Sequence, residues 1–418
     1  MEIFRNFIND FKYNYSTNDR LITILAFSLF FHYIITALVI FIIALYAIIK
    51  CDLKNIMKKM MSAWSLLAFS GYLLITSLFY QNWLGALISV GMFFVFVVVI
   101  YYRQYIHKKL FESIINIMIV MSLVCVIIAF FEQAYYVITV ENLVNFFDIS
   151  NKPEFRVRTF FFNANYYAMM ILFAESFCVY KIIDSKKNRE LYTIAALLNI
   201  IALYLTGSRI VWLGLFLTWF VMFVVSKKKP AIIATIAFGV TTVAASILKL
   251  PLIPRLIEYG ISLGRRATIY KAAFIMMKDT WLFGRGPLTY YYLNHNYLDD
   301  YIAKYGSADL NKYGIQSQHV HSMFLEPFIS FGVVGSITFI IYMFAQFRRI
   351  WHLYKSKLNH SLVTLIVGAV VAMLSSNTID FSIFWVQTGT LFLIILGSSD
   401  IYRDKIVEPN KFKRKKNS

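Results

Sequence analysis

Two histidines close a long polar interruption in an otherwise apolar chain. Residues 250–318 are rich in Arg and Tyr and end on His319-Val320-His321-Ser322, where an apolar helix is expected to begin. Ionisable groups at the mouth of a membrane span are costly unless something reacts or binds there. His321 is expected at the N-terminal end of that helix, where the helix dipole and partial burial both disfavour a protonated ring. A neutral imidazole in that place can take a proton from a hydroxyl, which makes His321 the candidate general base. His319 reads as a supporting or merely interfacial histidine. Ser322 is expected to cap the helix. Glu326, at i+4 from Ser322, is expected to be buried and to need an Arg or His partner from a neighbouring helix.

Cations come from three further stretches. Residues 191–226 are apolar except at Thr206-Gly207-Ser208-Arg209. At ~1.5 Å per residue the 36 residues make ~54 Å of helix, enough for two crossings only if the break is a tight hairpin. Gly207 suits the positive φ of such a turn, and Ser208 suits the N-cap of the next helix. Arg209 is then either a fixed phosphate site or a snorkelling arginine bound to any headgroup. In the polar stretch, Gly264-Arg265-Arg266 precedes a helical pattern over 267–277, read as an amphipathic surface helix whose N-terminal NH groups and arginines could hold a diphosphate. Gly284 and Gly286 lack the preceding strand and the spacing of a nucleotide loop. Arg156-Val157-Arg158-Thr159 leads to Asn163-Ala164-Asn165, where the two Asn can fold the first turn of a span through side-chain bonds to backbone.

No Asp-x-Asp, His-Glu-x-x-His or Cys-x-x-Cys pattern is present, so neither a metal nor a cofactor is expected. The three cysteines, Cys51, Cys125 and Cys178, make no disulfide framework. A formal charge of +19 could indicate nucleic acid, but Lys and Arg fall in short clusters between apolar runs. They read as topology signals, and the basic run Lys411–Lys416 as an anchor to anionic lipid.

The elements that must position these residues are membrane helices, since the chain is 59% hydrophobic and only 15% charged. Apolar runs at 21–49, 60–80, 83–102, 112–136, 159–180, 191–206, 210–226, 231–249, 322–347, 361–376 and 383–399 give eleven spans, or twelve if the first holds a re-entrant turn. Segments 50–59, 103–109, 181–190, 227–229, 348–360 and the tail hold 4, 3, 4, 3, 4 and 7 Lys plus Arg. That asymmetry predicts the N-terminus outside, the C-terminus inside and the long loop outside. The first run lacks the cleavage site of a signal peptide and is expected to be retained. The expected organisation is membrane helices one to eight over 1–249, an outer loop over 250–318, helices nine to eleven over 319–399 and a basic cytoplasmic tail over 400–418. The fold class is an all-α polytopic membrane helix bundle whose outer loop carries surface helices.

Taken in order, the stretches Arg158 to Asn165, Thr206-Gly207-Ser208-Arg209 with Trp212 and Gly214, Arg266-x-x-x-Tyr270 running on to Gly284-x-Gly286, and His319-x-His321-Ser322-x-x-Leu325 with Gly332-Val333-Val334-Gly335 resemble the O-antigen ligase and polysaccharide polymerase family of bacterial envelope enzymes. The chain departs from that family's pattern at Ala164, often Pro, and at Tyr270, often Trp. The resemblance implies a GT-C-like fold, with Arg209 and Arg266 as ligands of an undecaprenyl diphosphate, Arg265 able to replace Arg266 in register, and His321 as general base. His319, Ser322, Glu326, Arg158, Asn165 and Tyr270 are then supporting residues. The implied reaction is inverting, metal-independent transfer of a lipid-linked oligosaccharide to a hydroxyl acceptor on the outer face of the cytoplasmic membrane. Polymerisation of capsular, exopolysaccharide or O-antigen repeat units is the leading form, and ligation to lipid A core or another acceptor is the alternative. The implied partners are the lipid-linked glycan, the bilayer, the glycan acceptor and a chain-length regulator, with no nucleic acid. Transport of the lipid-linked oligosaccharide is the reading from another class. It predicts charged groups on both sides of the midplane, and no inverted pair of broken helices supports it.

Overall fold

The computed structural model describes residues 9–58, 60, 62–140, 146–147, 155–185, 188–247, 259–378 and 380–407. The start of the long loop, 250–258, and the basic run 411–416 lie outside them. The described residues are helical, with no strand among them. Besides short helices at Leu53–Lys58 and Arg403–Val407, the helices are α1 (Thr17–Ser28), α2 (Tyr33–Lys50), α3 (Ala63–Phe79), α4 (Trp83–Tyr105), α5 (Lys108–Val140), α6 (Ala164–Asp184), α7 (Arg189–Leu205), α8 (Arg209–Val225) and α9 (Lys229–Ile247). They continue with α10 (Tyr259–Thr280), α11 (Thr289–Leu293), α12 (Leu298–Tyr305), α13 (Ala308–Tyr313), α14 (Glu326–Ser330), α15 (Gly332–Ser356), α16 (His360–Asn377) and α17 (Val386–Gly397). Six of these, α2, α4, α5, α6, α15 and α16, are long and apolar enough to cross a membrane, and α3, α8 and α9 are shorter apolar helices. The first apolar run is two helices, because the chain turns at Leu29–His32 and the His32 imidazole accepts from the Ile34 N–H to start α2.

Burial ranks the helices. In α6, 89% of the apolar window is buried, against 28% in α2 and 33% in α15. Thus α6 is the inner helix, packed by α5, α7, α8 and α16, whereas α2 and α15 turn Ile34, Leu38, Ile42, Ile337, Ile340 and Phe344 outward, as helices facing hydrocarbon do. Gly214 lets α8 approach closely, since a Cβ there would meet Ser376 Oγ of α16 at 2.9 Å and Leu172 of α6 at 3.0 Å. The bundle has two polar ends. Arg349 lies 17 residues beyond Gly332 on α15, a rise of ~26 Å and close to a hydrocarbon thickness of ~30 Å.

Two expectations about the polar loop are corrected. The ninth apolar run does not become helical at Ser322. Residues 319–325 are a non-helical turn, α14 is a single short turn of helix, and the long helix starts ten residues later at Gly332. The cause lies in the backbone, because Gly284 and Gly332 have φ of 65° and 64° and lie against each other. A Cβ on Gly284 would meet the Gly332 nitrogen at 2.6 Å. Val333 and Val334 donate to the Trp281 and Leu282 carbonyls at 2.8 and 3.1 Å, and Gly286 N–H donates to Ser330 at 2.8 Å. The glycines that superficially look like a phosphate loop therefore dock the end of α10 onto the start of α15. Asn82 and Tyr72 hold the same loop through the carbonyls of Arg285, Pro287 and Phe283. The helix expected to begin after Arg266 begins at Tyr259, so Arg265 and Arg266 lie inside α10 with their backbone N–H groups out of reach of a ligand. The apolar stripe of α10, Ile269, Ala272, Ala273 and Met276, packs into a small core of the loop's own making with Tyr290, Tyr301, Ile315 and Val320.

Candidate functional site

His321 stands on the turn between the loop core and α14, in the left-handed region at φ 57°, a conformation that a residue with a Cβ holds only when its surroundings enforce it. Three contacts do so. Tyr270 of α10 donates its hydroxyl to the His321 carbonyl at 3.0 Å, the His321 N–H donates to His319 Nδ1 at 3.1 Å, and Asn377 accepts from Met323 N–H at 3.0 Å. The site therefore lies on a strained turn rather than at the helix N-terminus, and no helix dipole acts on His321.

Asp380, in the loop between α16 and α17, faces His321 with Oδ1 3.5 Å from Nδ1. This is long for a hydrogen bond but suited to orienting the ring. The His321 side chain is 30% exposed and that of Asp380 only 8%. Asp380 is further held by Asn165 Nδ2 at 3.0 Å and by its neighbour's N–H, from Phe381, at 2.8 Å. Burial alone would raise its carboxyl, but His321, His319 and the Phe381 N–H outweigh that and hold it at about 2. His319 goes the other way. Burial, reinforced by the charges of His321 and Arg266 and opposed by Asp380, pushes it down to about 4, so it stands as a neutral ring that accepts the His321 N–H.

A chain of hydrogen bonds ties this pair to the inner helices. Asn165, in the first turn of α6, accepts on Oδ1 from Arg156 Nη2 at 2.6 Å and from Ser208 Oγ at 3.2 Å, and Arg156 Nε donates to the Thr206 carbonyl at 2.8 Å. The α7–α8 hairpin is thereby pinned beside Asp380, with Gly207 at φ 59° as its spacing requires. Ser208 makes no side-chain cap, because its hydroxyl is spent on Asn165, and Arg209 follows as the first residue of α8. Asn163, not Asn165, folds the first turn of α6, accepting from the Asn165 N–H at 2.8 Å.

The arginines separate. Arg266 lies one turn before Tyr270 on α10, so both face the histidine turn, and its charge acts on Tyr270 and His319. Arg265 points away and donates to the Gln316 carbonyl at 3.3 Å. Arg158 is exposed, on a turn whose backbone N–H groups, at Arg158 and Thr159, bind the Glu132 carboxylate at 3.2 and 2.9 Å. The arginine bonded to Asn165 and Thr206 is Arg156. Glu326 is buried, but its partners are the Val320 N–H at 2.7 Å and the Ser330 hydroxyl at 2.5 Å, not an Arg or His of another helix. It braces the histidine turn from beneath. Ser322 accepts from Phe324 N–H at 3.3 Å within that turn instead of capping a long helix.

Asp380 is the residue that sequence reasoning missed. A lone acid at the end of an apolar run was a usable signal, by the same cost argument that picked out the histidines. His319, His321 and Asp380 also bring one donor atom each within 4.8 Å of one another, a grouping of metal-ligand types that no sequence spacing announced. Zn–N and Zn–O distances of ~2.0–2.2 Å would require these donors to draw together, and His319 Nδ1 to release the His321 N–H.

Residues 194–340 match the family model described as O-antigen ligase, and no curated protein matches the chain. The matched stretch runs from α7 into α15. It contains Arg209, Arg266, Tyr270, His319, His321 and Glu326, and leaves Arg156, Asn165 and Asp380 outside.

Proposed function

We propose, from the match of residues 194–340 to the O-antigen ligase family model, that this protein transfers a glycan from undecaprenyl diphosphate to a hydroxyl of an acceptor glycan, extending a lipid-linked polysaccharide on the outer face of the cytoplasmic membrane. The acceptor oxygen attacks the anomeric carbon as the bond from that carbon to the diphosphate oxygen breaks, with inversion of configuration. His321 takes the acceptor's proton on Nε2, since Asp380 faces Nδ1 and favours the tautomer with its N–H on that side. The departing diphosphate needs matched charge rather than a proton, and Arg266 and Arg209 supply it from α10 and from the first turn of α8.

The observation that carries this reading is the His321–Asp380 pair, 3.5 Å apart on the turn held by Tyr270, with Arg266 one helical turn from Tyr270. It supports a base and a cation on one side of a single reaction centre. The reaction as written needs no metal.

The test is purified protein reconstituted with an undecaprenyl-diphosphate oligosaccharide in excess EDTA, following glycan length and released undecaprenyl diphosphate by gel and mass spectrometry. Longer lipid-linked glycans with lipid diphosphate released are the expected result. Transfer only when a lipid A core or other acceptor is added would replace polymerisation by ligation. Activity lost to EDTA and restored by zinc would overturn the metal-free mechanism and make the His319, His321 and Asp380 donors its ligands.

A further inference from the structure

At the end of the bundle opposite His321, three guanidinium groups share one carboxylate. Asp400, fully buried, accepts from Arg103 Nε at 2.6 Å on Oδ2, and from Arg349 Nη1 at 2.7 Å and Arg403 Nε at 2.9 Å on Oδ1. Arg403 also donates to Gln104 Oε1 at 2.9 Å and to the Arg103 carbonyl. Side-chain exposure is 0% for Arg103, 4% for Arg349 and 15% for Arg403. Arginine does not shed its proton in proteins, so two positive charges are left unmatched in a buried place.

The hydrogen-bond inventory points the same way. Nη1 and Nη2 of Arg103, Nε and Nη2 of Arg349 and both amide atoms of Gln346 are buried without a hydrogen-bond partner. These groups face one another. Arg103 and Arg349 meet on Asp400, the Arg103 guanidinium carbon is 5.7 Å from the Tyr342 ring centre, and Tyr342, Gln346 and Arg349 follow at i, i+4 and i+7 on one face of α15. Buried donors are almost always paired; the Tyr342 hydroxyl and Gln346 Oε1 beside them can accept from some, but the orphaned nitrogens outnumber these two acceptors, and with the surplus positive charge they describe a site short of acceptors.

We infer that the Arg103, Arg349 and Gln346 side chains form a binding site for a second anion of the phosphate class. A tetrahedral oxyanion offers enough acceptor lone pairs for two guanidinium forks at once. Arg403, the most exposed of the three arginines, lies at the mouth. Basic segments 103–109 and 348–360 end here, so this is the side assigned to the cytoplasm, where phosphate is available both free and as the headgroup of anionic phospholipid. The site is separate from the outer-face reaction and stands whatever that reaction proves to be.

The experiment is thermal unfolding of delipidated full-length protein in neutral detergent at fixed ionic strength. The additions compared are inorganic phosphate, chloride, and mixed micelles of phosphatidylglycerol or phosphatidylcholine. A saturable rise in Tm with phosphate or phosphatidylglycerol, absent with chloride and phosphatidylcholine, is expected. Saturation by inorganic phosphate alone identifies a free anion, and a response to phosphatidylglycerol only identifies a lipid headgroup. Arg403→Gln, at the rim, should raise the half-saturating concentration about tenfold, because it removes a positive charge beside the bound anion. Arg349→Gln gives a second test, read as the response to phosphate because the variant also loses its ion pair with Asp400. If the anion binds, phosphate raises the Tm of this variant much less than that of the parent, and if Arg349 takes no part, phosphate raises both alike. The second result, or equal Tm in all additions, would overturn the proposal and leave the orphaned donors to water.

Discussion

In the proposed reaction Asp380 sets which nitrogen of His321 is basic, the most exacting demand that reaction makes on a single residue. Asp380→Asn keeps the shape and the Asn165 contact but removes the charge facing Nδ1, so transfer should fall about 10²–10⁴-fold, with the acid limb of the pH–rate profile displaced. His321→Ala should abolish transfer while binding of the lipid-linked glycan persists, and turnover near the parent rate in that variant would remove His321 from the mechanism. His319 makes a separate prediction about stability. Its folded value of about 4 lies below the ordinary 6.5, so the folded state declines a proton that the unfolded chain accepts. That contribution is whole above pH 6.5 and is lost as pH falls toward 4, by of the order of 3 kcal/mol; Asp380 adds a smaller loss between its ordinary value and about 2. Unfolding midpoints between pH 4 and 7 should show the first slope in the parent and its absence in His319→Gln.

At the scale of elements, the histidine turn depends on how α10 meets α15. Gly284 and Gly332 are required for φ as well as for space, so Gly332→Ala forces both a left-handed alanine and a clash with the Phe283–Gly284 backbone. A cost of about 1–3 kcal/mol is expected, read as a lower Tm, together with a lower rate because Tyr270 can then no longer hold the His321 carbonyl in register. Helix periodicity led to Arg266 but put it at a helix start. It lies mid-helix because the helix begins at Tyr259, before the stretch whose pattern is recognisable. Only Arg156 of the Arg156–Arg158 pair joins the Asn165 network. Arg156 and Arg158 are chemically equivalent in sequence, and only the distance to Asn165 and Thr206 separates them.

Across the whole molecule, the histidine turn with Asp380 and Arg266 lies at one end of the helices and the Arg103–Asp400 cluster at the other, ~26 Å along α15. If the charge asymmetry sets the orientation, a cysteine at Asn311 should react with a membrane-impermeant maleimide in intact cells and one at Lys357 only after permeabilisation. The reverse pattern would place the histidine turn in the cytoplasm, where a lipid-linked glycan flipped outward could not reach it.

Sequence alone determined that the chain is a helical membrane protein, where most of its apolar helices run, that the Thr206–Arg209 break is a hairpin, and that a His pair and arginines are out of place unless used. Those conclusions follow from local quantities, the run length of apolar side chains and the cost of charge beside hydrocarbon. Tertiary structure alone decided the rest. It set Asp380 against His321 across 59 residues, put Arg156 rather than Arg158 on Asn165 and Arg265 on the Gln316 carbonyl, and turned a helix start into a left-handed turn. Each of those outcomes depends on which backbones approach one another, and contacts between residues distant in the chain leave no periodicity for a sequence pattern to carry.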